Sequence, residues 1–389
     1  MNIVYVSREY PPSARCGGIG SYVRNTARAM CKRGHCVTVI CASDDTRRQY
    51  EYVDKGVRVI RLSGGDFVVP TIEGHSIWKK MRIFYRFFSY RRKVLRAIQS
   101  LNRVDVIETP EYGAEGVYAS LFPAPCVIRM HAPAILDIRT GKAKKYGFSR
   151  MPWRWLACKE IGVIQKACYI TSCSHHLAIW ISDFLKKTVD GVNVIHNFID
   201  VPFWSKKISC EKDYDILYFG TISETKGVCD LLEAVRILRS WGKDIQLCLA
   251  GRGGADIKES YAADTWCHFL GAVEHDRLRM LMAKSRIVCL PSWWENFPMS
   301  CLEAMAAGCI VIGTTCGGFS EIIESGKNGF LVPPKSPQLL ADQILKTMLL
   351  SQTVLADIAT SAQNTVNQKY SEGVVACILE TYYKKIIEN

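Results

Sequence analysis

Two series of short apolar runs, each run set off from the next by a stretch with helical spacing, constrain the fold of this chain more than any other feature. The first half holds "NIVYVS", "CVTVICA", "VRVIRL", "VDVIE", "CVIRMH" and "CYITSCS"; the second holds "DILYFG", "IQLCLAG", "CHFLGAV", "IVCLP" and "CIVIGTT". Such runs suit strands buried on both faces. Their alternation with helical patterns selects parallel strands joined by crossover helices, an α/β class in which each series closes its own doubly wound sheet. The 389 residues suffice for two such domains of about 100 to 200 residues each. Between the series lies "NFIDVPFWSKKISCEKDYD", with a proline, a charge cluster and no periodicity. The expected organisation is a first domain over 1–196, a hinge over 197–213 and a second domain over 214–369. The final "VVACILETYYKKII" has helical spacing at Val375, Ile378, Leu379, Tyr382 and Ile386, so 370–389 is expected to pack back onto the first domain.

Composition excludes several classes. An apolar share of 48% with 22% charged residues belongs to a globular chain. Apart from a Gly- and Thr-rich stretch from Ala304 to Ser320, no run approaches the ~18 uncharged apolar residues of a membrane span. The start, "MNIVYVSREYPP", is charged too soon for a signal peptide, which points to the cytoplasm. Seventeen cysteines without any C-x-x-C read as reduced core residues rather than zinc ligands or redox pairs. The D-x-D pattern Asp213-Tyr214-Asp215 falls at the end of the linker, and no metal is expected there.

Charge is uneven. Residues 1–200 carry 31 Lys and Arg against 16 Asp and Glu; the remainder carries 19 against 21. The first half therefore faces something acidic. "WKKMRIFYRFFSYRRKVLRAI", Trp78 to Ile98, has eight basic residues, no acid and six aromatics, and the segment 139–155 repeats the combination. Both read as patches for an anionic membrane surface. A solvated helix with a buried aromatic face is the alternative. Nucleic-acid binding would use similar residues, but no other part of the chain resembles such a module.

Three segments carry chemistry. "SREYPPSARCGGIGSYVRNTARAM" puts a Gly-rich loop between the first strand and a helix expected from about Ser21, where backbone N–H groups and the helix end suit an anion. Its glycines do not fit the dinucleotide pattern G-x-G-x-x-G, and a plain turn is the rival reading. "LYFGTISETKGVCDLLEA" places Lys226 and Gly227 at the start of a helix near Val228, where a lysine can hold a phosphate. "PSWWENFPMSCLEAMAAG" contains Glu295 and Glu303 in otherwise nearly uncharged surroundings. An ionised carboxylate there needs a partner or a ligand. With Asn296 expected as N-cap and Gly308 as terminator, Glu295 precedes a helix and Glu303 lies inside it. The N–H groups from Phe297 to Ser300 then face the carboxyl edge of a sheet, and two carboxylates beside an anion-binding helix end suit sugar hydroxyls and a phosphate.

Over nearly its whole length the chain resembles the retaining glycosyltransferases of family 4. The resemblance rests on "EYPPSARCGGIGSYV", "KRGHCVTVI", "VIHNFID", "GTISETKG", "FLGAV", "PSWWENFPMSCLEAMAAGCIVIGTTCGGFSEII" and "GKNGFLVPP". It implies the GT-B arrangement, two Rossmann-like doubly wound domains facing a central cleft, with a nucleotide diphosphate-sugar as donor substrate and no metal or other cofactor. It also implies roles. Glu303 would bind the nucleotide ribose and Glu295 the transferred sugar, with the backbone of Phe297, Met299 and Ser300 around it. Lys226 would bind the diphosphate, helped by the backbone at Gly18; His131 would stand near the donor sugar, although a lone histidine is more often structural. Phe269 to Val273, including Gly271 and Val273, would line the base. The family usually has an arginine where this chain has Thr221, so either another cation such as Arg252 or Arg8 compensates or the donor is held more weakly. The acceptor implied is a glycan or lipid-linked hydroxyl in surface polysaccharide synthesis. A nucleotide-sugar binder without activity is the alternative that Thr221 leaves open.

Overall fold

The apolar runs do form strands buried on both faces, and the helices between them cover the two sides. The computed structural model describes residues 1–13, 17–45, 48–65, 77–139, 150–186 and 191–388. It divides into two compact units: Met1–His196 with Val375–Asn389, and Asn197–Val374.

The first unit has an eight-stranded sheet. Its strands are β1 (Asn2–Val6), β2 (Cys36–Ala42), β3 (Tyr50–Asp54), β4 (Val57–Leu62), β5 (Val106–Pro110), β6 (Cys126–Met130), β7 (Tyr169–Ser172) and β8 (Val192–Val194). The order is β3-β4-β2-β1-β5-β6-β7-β8. Every neighbouring pair is parallel except β3 with β4. That hairpin turns on Lys55 and Gly56, both at positive φ, as a two-residue type I′ turn requires. The sequence reading missed β3 because, as a solvent-facing edge strand, it lacks an apolar run, and missed β8 because it has only three residues.

The second unit has β9 (Tyr214–Phe219), β10 (Leu247–Ala250), β11 (Cys267–Gly271), β12 (Ser285–Cys289), β13 (Ile310–Thr314) and β14 (Phe330–Val332), all parallel. Their order is β11-β10-β9-β12-β13-β14. Residues 197–213 belong to this unit and include a short helix, Val201–Trp204, capped by the Asp200 carboxylate.

The C-terminal helix Glu372–Glu388 buries Val375, Leu379, Tyr382, Tyr383 and Ile386. Ile378, which the spacing placed on that face, is exposed. Within the first unit Tyr383 donates to Glu108 on β5 (2.7 Å), and Glu380 pairs with Arg33. The cysteines form no disulfide among the described residues; Cys41, Cys173, Cys248, Cys289 and Cys301 are core residues, whereas Cys36, Cys158, Cys168, Cys210 and Cys377 are exposed, contrary to the sequence expectation. Among the described residues no helix is long and apolar enough to cross a membrane.

Candidate functional site

Strand order in the second unit reverses between β9 and β12, and open α/β sheets bind ligands outside the carboxyl ends of strands at such a point. The loop after β9 ends in a single helical turn, Glu224–Lys226. The loop after β12 runs over it: the Trp293 N–H donates to the Thr225 carbonyl (3.0 Å). Gly227 has φ +70°, and a Cβ there would fall 1.9 Å from the Pro291 carbonyl oxygen. Only glycine meets both conditions.

This contact brings the Lys226 ammonium onto Oε1 of Glu295, which also accepts from the Ser292 hydroxyl at 3.2 Å. The loop after β13 completes the support. The Gly318 N–H donates to the Glu295 carbonyl (2.9 Å), and a Cβ at Gly317 would come within 1.9 Å of that oxygen. Three adjacent loops therefore fix one carboxylate.

The two glutamates meet the cost of leaving water in different ways. Glu295 stays half-buried beside a cation. Glu303, in the helix Met299–Ala306, is also half-buried but has no hydrogen-bonding or ionic partner for its carboxylate among the described residues, and burial pushes its carboxyl up to about 8. A carboxyl group held without a protein partner is free to take a ligand hydroxyl. The raised value has a measurable consequence. An unfolded glutamate loses its proton near 4.5, whereas the folded protein holds this one up to about 8. Between those values the native state binds more protons than the unfolded state, so stability falls as pH rises through that window. Denaturant unfolding at pH 5 and pH 8 should show this fall, and Glu303→Gln should shrink the difference.

The helix carrying Glu303 starts at Met299, with Pro298 as its cap residue. Asn296, expected as the cap, instead accepts the Trp294 indole N–H through its side-chain oxygen (2.8 Å). The N–H groups of Met299 and Ser300 find no acceptor among the described residues, as the first turn of a helix predicts. Phe297 is buried and stacks edge-on against Tyr370 at 5.5 Å. Thr221 is exposed, its carbonyl accepting the Tyr218 hydroxyl (2.6 Å). Arg252 follows β10, and its carbonyl accepts the Ile222 N–H (2.8 Å), so it lies one loop from Thr221 with its guanidinium exposed and unpaired among the described residues. Gly271, at φ +68°, ends β11, the edge strand of the same sheet, and Val273 follows it.

Gly18 and His131 belong to the first unit. Its strand order reverses between β1 and β5, and the Gly-rich loop follows β1. The helix there begins at Gly18, three residues before the expected Ser21, and the Glu9 carboxylate accepts the Gly17 N–H at 2.9 Å. Residues 14–16 of this loop lie outside the described residues. His131 follows β6 and is buried, with its ring 4.8 Å from that of Tyr22. Burial and the neighbouring Arg129 guanidinium push its pKa well below the usual histidine range, so the imidazole is neutral. Arg8 pairs with Glu115 at 2.9 Å.

Several supporting residues escaped the sequence reading. The buried Glu111 carboxylate accepts the N–H groups of His131 (2.8 Å) and Ala132 (2.5 Å), holding the histidine turn. Buried Arg61 on β4 donates to the carbonyls of Tyr10 (2.9 Å) and Pro12 (3.0 Å) and so anchors the Gly-rich loop. Tyr22 and Tyr383 both donate to Glu108. A charged residue inside an apolar strand, as in "VRVIRL" or "VDVIE", is the one signal that marked Arg61 and Glu108.

Comparison with known proteins adds to this geometry. Residues 16–202 match the family described as Glycosyltransferase Family 4, and residues 200–364 match Glycosyl transferases group 1. The chain is 27% identical to an uncharacterized glycosyltransferase of Methanocaldococcus jannaschii, covering 100% of this chain and 99% of that protein. It is 26% identical to the glycogen synthase of Mycobacterium tuberculosis over 88% of this chain and 84% of the synthase. The Anabaena protein HepE, solved in complex with UDP-glucose, superposes with a TM-score of 0.72 at 18% identity, covering 99% of this chain and 100% of HepE.

Proposed function

Because the chain belongs to the family 4 glycosyltransferases and has the GT-B fold, we propose that it transfers a sugar, with retention of anomeric configuration, from a nucleotide diphosphate-sugar to a hydroxyl of a glycan or lipid-linked acceptor. The carrying observation is the convergence of Lys226 and Glu295 at the carboxyl edge of the second unit's sheet, beside the free N–H groups of Met299 and Ser300. Breaking the anomeric C–O bond develops negative charge on the diphosphate and positive charge on the sugar ring. A preorganised cation and helix-end N–H groups lower that barrier, and no metal is needed for it. Lys226 takes the diphosphate, Arg252 supplies the second cation that Thr221 does not, Glu295 accepts from the sugar hydroxyls, and Glu303 accepts from the ribose. HepE, solved with UDP-glucose, and the glycogen synthase support a nucleotide-sugar donor and a glycan acceptor.

The test is the anomeric configuration of the product by proton NMR, read alongside release of nucleoside diphosphate from a panel of donors. Retention with release supports the reading. Inversion would contradict the mechanism, and binding without release from any donor would favour the alternative of a non-catalytic nucleotide-sugar binder, for which Thr221 is the specific observation.

We assign the protein to the cytoplasmic face of an anionic membrane, through the helix Ile77–Gln99. Its aromatic residues are split. Phe84, Phe87 and Phe88 pack around Trp155 at ring distances of 4.7, 4.9 and 6.0 Å, and Tyr90 is buried. Trp78 (77% exposed), Met81 and Tyr85 (72% exposed) stay outside, along with Arg82, Arg92 and Arg96. The spacing of Trp78, Met81 and Tyr85 puts them on one face. That pairing of exposed aromatics with cations suits a lipid interface. Residues 140–149 of the second basic segment lie outside the described residues. Sedimentation with phosphatidylserine vesicles should be salt-sensitive and weakened several-fold by Trp78→Ala with Tyr85→Ala; unchanged sedimentation would remove this partner.

A further inference from the structure

A second cavity in the Asn197–Val374 unit sits at the opposite edge of its sheet from Lys226 and Glu295. It has a volume of about 730 Å³, within the roughly 300 to 1,000 Å³ of small-molecule sites. Its walls include Ser285 and Ile310, the first residues of β12 and β13, and Gly308, just past the helix that carries Glu303. All its lining residues fall between 204 and 359, inside one unit.

Its chemistry is lopsided. Five cations line it, Lys206, Lys207, Lys212, Arg279 and Arg286, and no lining residue is acidic. These are five of the 19 basic residues in a half of the chain whose acidic residues outnumber its basic ones. The neighbouring acids are in use: Asp213 pairs with Lys284 (2.6 Å), Asp215 with Arg286 (3.4 Å) and Asp276 with Arg279 (3.2 Å). Glu211 is exposed and outside the lining. Lys212 donates to the carbonyls of Ala283 and Ser285 at 2.8 and 2.9 Å, which ties the linker to the cavity wall. Lys206 and Lys207 are exposed and have no hydrogen-bonding or ionic partner among the described residues. Arg279 is nine-tenths buried, and its Nε–H finds no acceptor among the described residues. Beneath the cations the surface is apolar, with Met282, Ile287, Met348 and Leu355 among its residues.

We propose that this cavity is a second ligand site, distinct from the donor site, that takes an amphiphilic anion: a phosphate group between Lys206, Lys207 and Arg279, with an apolar body on the Met282, Ile287, Met348 and Leu355 floor. Lys206 and Lys207, unpaired among the described residues, attract an anion, Arg279 has its Nε–H to offer beside its pair with Asp276, and the apolar floor discriminates against bare phosphate. The site stands independently of the sugar-transfer reading, since none of its residues belongs to the donor loops.

The test is calorimetric titration with octyl phosphate and, separately, inorganic phosphate, on wild-type protein, on the Lys206→Glu/Lys207→Glu double variant and on Lys226→Ala. Both lysines are exposed, so the double variant is expected to fold, and an unchanged melting temperature checks that. The expected result is saturable binding of about one octyl phosphate, weakened at least tenfold by the lysine reversals and unchanged by Lys226→Ala, with inorganic phosphate binding more weakly than octyl phosphate. Failure of octyl phosphate to saturate, binding that survives the lysine reversals, loss in Lys226→Ala, or equal affinity for the two probes would each overturn the proposal. Donor-nucleotide affinity measured on the same double variant should not change, which separates this site from the donor site.

Discussion

Alanine in place of Glu295 is expected to lower kcat by about 10²-fold or more while leaving the affinity for free nucleoside diphosphate unchanged or tighter. The expectation follows from the ion pair. In the ligand-free protein Glu295 accepts from the Lys226 ammonium and the Ser292 hydroxyl. Donor binding must exchange that pair for a lysine–phosphate contact and a carboxylate–hydroxyl contact. Removing Glu295 deletes the contact to the sugar and at the same time releases Lys226 for the diphosphate. The two parameters should therefore separate, because free nucleoside diphosphate lacks the sugar that Glu295 contacts. Steady-state kinetics with calorimetry of the nucleoside diphosphate checks both. A weaker nucleotide with unchanged kcat would put Glu295 at the nucleotide instead of the sugar.

Lys226→Ala is expected to reduce kcat/KM by about 10²- to 10³-fold, because it removes the cation that meets the charge developing on the leaving diphosphate. Here nucleotide affinity should fall as well, since the diphosphate carries charge before and after the bond breaks. Arg252→Ala should act in the same direction with a smaller loss, about tenfold, because its guanidinium is exposed and screened. Lys226→Ala also leaves the half-buried Glu295 carboxylate, among the described residues, with only the Ser292 hydroxyl. Losing one partner of a pair costs more than the pair contributes, so a modest drop in melting temperature should accompany the kinetic loss. Melting curves with and without nucleotide separate the two effects.

The fold class was legible because strands buried on both faces must be apolar throughout, and the eleven quoted runs all lie on strands. What failed to show was local and has local reasons. β3 is an edge strand whose residues face solvent. Ile378 keeps the helical period of the C-terminal helix but falls on its exposed side, because a period does not say where the buried arc ends. Asn296 has the chemistry of a cap, yet the Trp294 indole takes its oxygen and the helix starts later.

For the candidate site, spacing placed Lys226 and Glu295 in separate loops but could not show that they meet, since 69 positions separate them and their contact depends on β9 lying beside β12. That the Glu303 carboxylate has no partner among the described residues was equally hidden, because an absent contact has no sequence pattern. The buried charges Arg61, Glu108 and Arg129 stood out only as polar interruptions of apolar strands, and Glu111, just after β5, carried no signal at all. Their partners are backbone groups and tyrosines far away in the chain, which composition does not reveal.

The most direct measurement is calorimetric titration of UDP, GDP and ADP and their common sugar conjugates into the wild-type protein and into Lys226→Ala. The account predicts saturable binding of one nucleotide class in the wild type and its loss, at least tenfold, in the variant. Binding that is indifferent to Lys226, or no binding of any nucleotide, would contradict the assignment of the donor to the loops that follow β9 and β12.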